Sequence, residues 1–244
     1  MVYHCCSGDG RIAVDLAKEL AEFARRRSPP TVAIRYLRHA AHVSRCHGDS
    51  TEALKLAEES YRIAARCDSG RALTSSAYIV ASICMQIGDN ESASLWIERA
   101  TGSYAPGHLT VMDVNLWSYM TELALRKGDL DGAEQFLANC LPSAARSKST
   151  RSHARAISLT TQLRVLKGER STDEQIQQLL SVFDVVKNAT LQDYTMESIV
   201  VGLLSAGRNR DAAILADDYV ATHRRDRSAL AVPLARRLHD MSVF

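Results

Sequence analysis

The sequence predicts an all-α fold made of repeated antiparallel helix pairs. Three observations support this: a glycine recurs at nearly constant spacing, apolar residues with helical spacing flank these glycines, and only 5 of the 244 residues are proline. The recurring glycines are 40 residues apart, except for a last step of 39, and they are Gly8, Gly48, Gly88, Gly128, Gly168 and Gly207. A fixed period of about 20–50 residues is the signature of a repeat array.

Each repeat is predicted to be a helix, a tight turn and a second helix. In the second unit, Leu37 and Ala41 lie on an apolar face before Gly48, and Ala53 and Ala57 lie on another after it. The glycine supplies the left-handed conformation that ends the first helix. Aspartate follows it in the first four units, where its side chain is expected to cap the second helix.

When the units are aligned on their glycines, residues of similar size recur at the same positions, and the packing of helices explains these columns. A small residue five positions after the glycine lets two helices approach closely, and mostly large residues eleven and eight positions before it fill the space between neighbouring pairs. The first of these columns contains Ala13, Ala53, Ala93, Ala133 and Ala212. The column seven positions before the glycine is small or branched and contains Ala41, Ala81, Thr121, Thr161 and Val200.

The fifth unit departs from this pattern, because Asp173 stands where the other units have alanine. The segment from Ser171 to Glu174 has the pattern of a capping box. The buried face of the second helix would then begin about three residues later than in the other units and contain Ile176, Leu180 and Phe183. We therefore expect a local irregularity in this unit.

These columns resemble those of the tetratricopeptide repeat, which places a large residue, a leucine, a small residue and then an alanine of the second helix at similar offsets. The resemblance extends from Gly8 to about Tyr219. It implies one right-handed superhelical solenoid domain over residues 1–244, with about five to six repeats. The usual unit of the family has about 34 residues, and longer units of the present length occur in bacterial signalling and transcriptional regulators.

The two ends of the array differ from its middle. Only seven residues precede Gly8, so the first unit has room for one helix, and we expect this chain to be a fragment of a longer protein or another chain to cover this end. Residues 228–241 contain Leu230, Leu234 and Leu238 at a spacing of four and are expected to form a closing helix.

The resemblance also implies where a ligand would bind. In tetratricopeptide solenoids the first helix of each pair lines a concave groove, at positions about 13, 10, 6, 3 and 2 before the glycine. Transferred to this sequence, these positions give a set of groove residues: Arg35, Arg38, His42, Arg45, Ser75, Tyr78, Ser82, Met85, Asn115, Ser118, Glu122, Arg126, Arg155, Gln162, Tyr194 and Glu197.

One end of this groove is predicted to be cationic, because three arginines and a histidine share one helix and no acid lies between Thr31 and His47. Arginine suits a carboxylate or phosphate, so the expected ligand is a peptide or protein segment with an acidic side chain or C-terminal carboxylate at this end. Alternatively, these arginines are solvated or pair with acids of the neighbouring unit.

Other chemistries find little support in the sequence. There is no Gly-rich phosphate loop, G-x-S-x-G or HExxH motif, so we expect neither an enzyme nor a cofactor. His39 and His47 do not share the helix face of His42 and Cys46, so no metal site is predicted. The six cysteines show no CxxC spacing, and the chain lacks a secretory or membrane-spanning segment, which indicates a reduced, cytoplasmic protein. Cys84 and Cys140 are expected on apolar helix faces as small hydrophobic residues.

The predicted function is therefore that of a non-enzymatic interaction module, the sensor or partner-binding region of a cytoplasmic bacterial transcriptional regulator. A nucleic-acid-binding solenoid is a second interpretation, supported by the basic helix and by Arg224, Arg225 and Arg227, but the net charge of +2 and the scarcity of aromatics along the basic helix disfavour it. A third interpretation is a homo-oligomeric scaffold that docks through the half unit at Gly8.

Overall fold

The computed structural model describes residues 10–46, 49–67, 69–103, 111–147, 149–186 and 189–223. Every regular element in these ranges is an α-helix, which confirms the all-α prediction for this part of the chain. The helices are α1 Gly10–Arg27, α2 Pro30–Cys46, α3 Ser50–Arg66, α4 Gly70–Ile87, α5 Asn90–Gly102, α6 Val111–Lys127, α7 Leu130–Ser147, α8 Thr150–Leu166, α9 Asp173–Val185, α10 Ala189–Ser205 and α11 Asn209–His223.

Consecutive helices pack against each other in the manner of a helical repeat. The predicted pairs are formed by α2 with α3, α4 with α5, and α6 with α7, and the first helices of successive pairs also touch, α2 with α4, α6 with α8, and α8 with α10. The packing divides the chain into two units, unit 1 with residues 1–108 and unit 2 with residues 109–244. The single domain expected from the sequence over residues 1–244 stays a prediction.

The turns between paired helices are closed by glycine, as predicted. Gly88, Gly128, Gly168 and Gly207 have φ between 75° and 86°, the left-handed region that side chains disfavour. The residue after each of them donates its backbone N–H to the carbonyl five positions earlier, at 2.9–3.0 Å. Asp49 makes the same bond to Ser44 at 3.0 Å, while Gly8 and Gly48 themselves lie outside the described residues.

The aspartates after these glycines cap the second helices, which confirms the predicted caps. Asp49, Asp89 and Asp129 each accept a hydrogen bond at 2.9 Å from the backbone N–H three residues further on. This bond satisfies one of the N–H groups that the first helical turn leaves unpaired. Hydrogen bonding from Ser92 also lowers the pKa of Asp89.

The small packing columns read from the sequence are buried in the described residues. The alanines five positions after the glycine are all 0% exposed, and the column seven positions before it is buried in every unit. The columns of larger residues are more mixed, since Leu37, Met196 and Ile199 are buried whereas Trp117 and Ile157 are half-buried. The small residues therefore set the distance between helices, and the larger residues fill the remaining space between neighbouring helix pairs.

The expected irregularity of the fifth unit is present, and its cap differs by one residue from the prediction. Helix α9 begins at Asp173, five residues after Gly168, whereas α5 and α7 begin two residues after theirs. The capping box joins Thr172 and Gln175, whose side chains each bond to the other residue's backbone N–H at 3.3 and 3.0 Å. The box predicted to begin at Ser171 was wrong by one position, because the Ser171 hydroxyl accepts a bond from Ser205 instead.

The buried face of α9 is likewise shifted. Ile176 is buried as predicted, but Leu179 and Val182 complete the buried face, while Leu180 and Phe183 lie half-buried at its edge and pack against the same core. Leu179 and Val182 each precede the predicted residue by one position, which corresponds to a rotation of the buried face by about 100°.

Both cysteines expected on apolar faces are buried. Cys84 is 3% and Cys140 is 0% exposed, and burial raises the pKa of Cys84 to about 11 and also raises the pKa of Cys140. These thiols therefore stay protonated and pack as small hydrophobic residues, as predicted. The half unit at Gly8 and the closing helix at 228–241 lie outside the described residues, as do Arg224, Arg225 and Arg227.

Replacing Gly128 by alanine tests the conformational role of the turn glycine. No atom lies within 4 Å of the added Cβ, so the cost comes from φ = 75° alone and is expected to be about 1 kcal/mol of unfolding free energy. Urea unfolding followed by circular dichroism measures it. Gly102→Ala is the matched control, because Gly102 ends α5 in equally open space without a positive φ, and this variant should be neutral or more stable. Equal losses in both variants would contradict the role assigned to Gly128.

Candidate functional site

The predicted groove residues all lie on the first helices of their pairs, and most of them belong to two groups, one in each unit. We call the group in unit 1 the cationic cluster; it contains Arg35, Arg38, His42 and Arg45 of α2 with Ser75 and Tyr78 of α4. We call the group in unit 2 the paired cluster; it contains Glu122 and Arg126 of α6, Arg155 and Gln162 of α8, and Tyr194 of α10.

The paired cluster is built around one carboxylate that holds two arginines. Glu122 accepts a hydrogen bond at 2.8 Å from Nη2 of Arg126, one turn further along α6, and forms a short ion pair with Arg155 of α8. The Arg155 guanidinium also lies over the rings of Tyr119 and Tyr194, 4.5 and 4.9 Å from their centres. Charge and cation–π contacts therefore join α6, α8 and α10 at one point.

The ion pair is buried, and its pKa shifts are consistent with strong pairing. The side chains of Glu122 and Arg155 are 12% and 14% exposed. Burial by itself would raise the pKa of Glu122, but Arg155 and Arg126 together lower it below its ordinary value. Burial would lower the pKa of Arg155, and Glu122 reverses the sign and raises it. Both groups are therefore charged at neutral pH, and each satisfies the other.

A second polar contact continues the paired cluster along α8 and α10. Gln162 donates from Nε2 to Ser198 Oγ at 2.9 Å and accepts from the Tyr194 hydroxyl at 3.2 Å. Burial raises the pKa of Tyr194, so this hydroxyl remains a donor. The groove positions predicted from the sequence did not include Tyr119 or Ser198, although both lie nine positions before a turn glycine, next to a predicted position.

The cationic cluster has polar contacts of another kind. Arg38 Nη1 donates to Ser75 Oγ at 2.5 Å, so the second and third repeats meet here as well. Arg45 is 8% exposed, and its Nη2 lies 3.2 Å from His42 Nδ1, whose ring Nε2 is 3.8 Å from the Cys46 thiol. None of these partners carries a negative charge that would balance an arginine.

Carboxylates are missing from the cationic cluster as far as the structure describes the chain. Within the described ranges, no Asp or Glu forms an ion pair with Arg35, Arg38 or Arg45, although neighbouring acids were one sequence interpretation of this helix. The Nε of Arg38 is buried and has no acceptor. Burial lowers the pKa of Arg38, and the nearby positive charge of Arg71 lowers it further. Burial and the charges around His39 likewise lower its pKa.

Several residues predicted to face a ligand are instead covered by neighbouring helices. Ser118 is 0% exposed, donates to the Val114 carbonyl at 2.6 Å and lies 3.3 Å from the Cys140 thiol, so it packs between α6 and α7, and its role in ligand binding stays a prediction. Ser75, Ser82 and Met85 are also buried, at 3%, 5% and 1% exposure. By contrast, Asn115 and Glu197 are half-buried.

The sequence analysis considered His39, His42, Cys46 and His47 as metal ligands. In the described residues the Nε2 atom of His42 lies 3.8 Å from the Cys46 thiol, and His47 lies outside these residues. Within the described ranges, no three or more His, Cys, Asp and Glu side chains are placed to hold a metal ion.

Among the helices that the structure describes, none combines the length and the apolar character that a membrane span requires.

Removing the carboxylate of the paired cluster is expected to destabilise unit 2. Glu122→Gln leaves the buried Arg155 without its counter-ion, and we expect a loss of about 3 kcal/mol in unfolding free energy. Trp117 is the one tryptophan of unit 2, so urea unfolding followed by its fluorescence in a Trp96→Phe background measures this unit. The pKa of Glu122 is lowered by folding, so this stability is present above the unfolded pKa of about 4.3 and is lost as pH falls through the folded value.

Glu134→Gln is the matched control for this prediction. Glu134 pairs with Lys167 at 2.5 Å, but its side chain is 62% exposed, so we expect a change within about 0.5 kcal/mol. If Glu122→Gln changed stability no more than Glu134→Gln, the Glu122 ion pair would not be the contact that joins these helices.

No protein-family model matches this chain, and no curated protein is significantly similar to it. The side chains of the two clusters therefore provide the basis for a functional proposal.

Proposed function

We propose that the chain is a non-enzymatic, tetratricopeptide-like interaction module that binds a peptide or protein segment through its first helices, with a ligand carboxylate at the cationic cluster. The observation that carries the proposal is Arg38, a largely buried cation with an unpaired Nε and no counter-ion among the described residues. The 40-residue repeat supports a right-handed superhelix as the architecture, and cytoplasmic bacterial transcriptional regulators as the class of protein.

A buried charge without a counter-ion is costly in a folded protein. Desolvation penalises the guanidinium of Arg38, and the neutral hydroxyl of Ser75 offsets only part of that cost. The positive charge of Arg71 increases the positive potential around Arg38 and lowers its pKa further. An anionic ligand that reaches Arg38 would supply the missing charge and the missing acceptor together, which would offset this cost.

Unit 2 contains a buried arginine whose charge is balanced within the protein. Arg155 is more deeply buried than Arg38 and its Nε also lacks an acceptor, yet it has the carboxylate of Glu122 and the rings of Tyr119 and Tyr194 around it. In unit 1, Tyr78 is the aromatic neighbour of Arg38, while the carboxylate is missing from the described residues. We propose that the ligand provides the carboxylate that Glu122 provides in unit 2.

A peptide carboxylate fits this position better than a simple inorganic anion. Ser75 is already bonded to Arg38, and the amide of Gln86 donates to the Arg45 carbonyl at 3.4 Å while its Oε1 is buried without a partner. An extended peptide carries backbone N–H groups that suit such an acceptor, next to the carboxylate that suits the arginines.

Binding of randomised eight-residue peptides tests this proposal. One pool ends in a free carboxylate and the other in an amide; each is passed over the immobilised protein, and the retained peptides are identified by mass spectrometry and titrated. We expect free-acid peptides to bind at least tenfold more tightly than their amides, since a hydrogen bond to a charged group contributes about 1.5–3 kcal/mol. Arg38→Gln should remove this preference.

Arg26→Gln is the control, because it removes the same charge from a side chain that is 77% exposed on α1. It should leave both pools unaffected. Retention of neither pool by the wild type would overturn the proposal, as would free-acid peptides that bind Arg38→Gln as tightly as the wild type.

Arg38 also predicts a stability gain that requires no ligand. Arg38→Met keeps an unbranched apolar side chain and removes the buried charge, so we expect an increase of about 1 kcal/mol in the unfolding free energy of unit 1. Trp96 fluorescence during urea unfolding, in a Trp117→Phe background, reports on that unit. Arg25→Met is the comparison and should bring no gain, because Arg25 already pairs with Glu59 at 2.7 Å. A loss of stability in Arg38→Met would show that Arg38 has its counter-ion within the folded chain.

A further inference from the structure

A cleft of about 580 Å³ lies in unit 1, where the end of α1, the start of α2 and the end of α3 meet. None of its lining residues belongs to the cationic cluster, and none was singled out by the sequence motifs. Its volume is in the range of pockets that hold small organic ligands, about 300–1,000 Å³.

The cleft has an apolar part. Ala24 of α1 and Ala33 of α2 are buried at 2% and 4% exposure, and Ile63 of α3 lies beside them half-buried. Pro30, the first residue of α2, adds its ring to this surface. Small residues on two helices leave a space that a flat or chain-like apolar group can occupy.

One wall of the cleft is closed by a neutralised ion pair. Arg25 donates from Nε to Glu59 Oε1 at 3.0 Å and from Nη2 to Oε2 at 2.7 Å, a two-point contact between α1 and α3. Because these two charges cancel, this wall adds no net charge.

The remaining charged and hydroxyl groups of the cleft are the exposed side chains of Arg62 and Arg66 and the hydroxyl of Ser28, whose oxygen is buried. Arg62 and Arg66 lie one turn apart on α3, and the described residues give neither of them an ion pair or a hydrogen bond. Like charges at this spacing repel each other on a helix. The Ser28 hydroxyl, between α1 and α2, also lines the cleft, and its oxygen is buried without a partner. The cleft thus has a net charge of +2 and three donor groups beside an apolar surface.

We propose that this cleft binds a small carboxylate with an apolar body. The apolar body lies against Ala24, Ala33 and Ile63, and the carboxylate accepts hydrogen bonds from Arg62, Arg66 and the Ser28 hydroxyl. The arginine fork and a carboxylate match in geometry, and the anion removes the repulsion between the two arginines. This site is independent of the peptide-binding function proposed for the cationic cluster.

Two isosteric probes, 2-naphthoate and 2-naphthamide, test the proposal by isothermal titration calorimetry. They share one apolar body and differ in charge. We expect the wild type to bind 2-naphthoate at least tenfold more tightly than 2-naphthamide. Arg62→Gln/Arg66→Gln should lose at least tenfold in affinity for 2-naphthoate and keep its affinity for 2-naphthamide. Ile63→Ser should weaken both probes by a similar factor, because it changes only the apolar part.

Lys18→Gln/Lys55→Gln is the matched control, since it removes the same two charges from residues outside the cleft. It should bind both probes like the wild type. The proposal is overturned if neither probe binds, if the two probes bind equally, or if the double arginine variant retains its affinity for 2-naphthoate. A loss of 2-naphthoate binding in Arg38→Gln, with normal binding in the double arginine variant, would place the carboxylate in the cationic cluster and also overturn it.

Discussion

The structure depends on one backbone constraint, the left-handed glycine between the helices of a pair. At Gly88, Gly128, Gly168 and Gly207, the next residue bonds back to the carbonyl five positions earlier. This bond fixes where the first helix ends and the direction in which the chain leaves it. The helices of a pair then meet at the same positions each time, which is why the alanine column is fully buried wherever it occurs. The contacts between repeats therefore also recur at fixed positions relative to the glycine.

Most of the helical pattern follows from local sequence, whereas the exposure of polar side chains does not. The glycine spacing predicted the turns, the aspartate caps and the small buried columns. It did not predict that Ser118 and Met85 would be covered, because periodicity identifies a helix face but not the neighbouring helix that packs on it. The same limit applies to Glu122, whose pairing with Arg155 depends on two residues 33 positions apart. The cleft beside Ser28 was missed for a similar reason, since three helices contribute to it and none carries a motif.

The two clusters show how similar positions acquire different chemistry in one repeat array. In three units the residue 13 positions before the glycine contacts the preceding repeat. Ser75 contacts Arg38, Arg155 contacts Glu122, and Tyr194 contacts Gln162. The geometry is shared, but a charge is balanced within the protein only where a carboxylate stands opposite an arginine. A repeat can therefore exchange a structural contact for a binding position through a single residue, without altering its backbone.

The late start of α9 has a consequence for how such an array evolves. The extra residues before α9 place Ser171 against Ser205 of the next repeat, where backbone and hydroxyl bonds of 3.1 and 3.0 Å join them. Helices α3, α5, α7 and α11 begin two residues after their glycines, so the extra length is a feature of the fifth unit. The fifth and sixth units are joined by bonds that depend on it. Genetic exchange that separates them would leave one partner of these bonds unsatisfied, so they are expected to be inherited together as a double module of about 80 residues, two of the 40-residue periods.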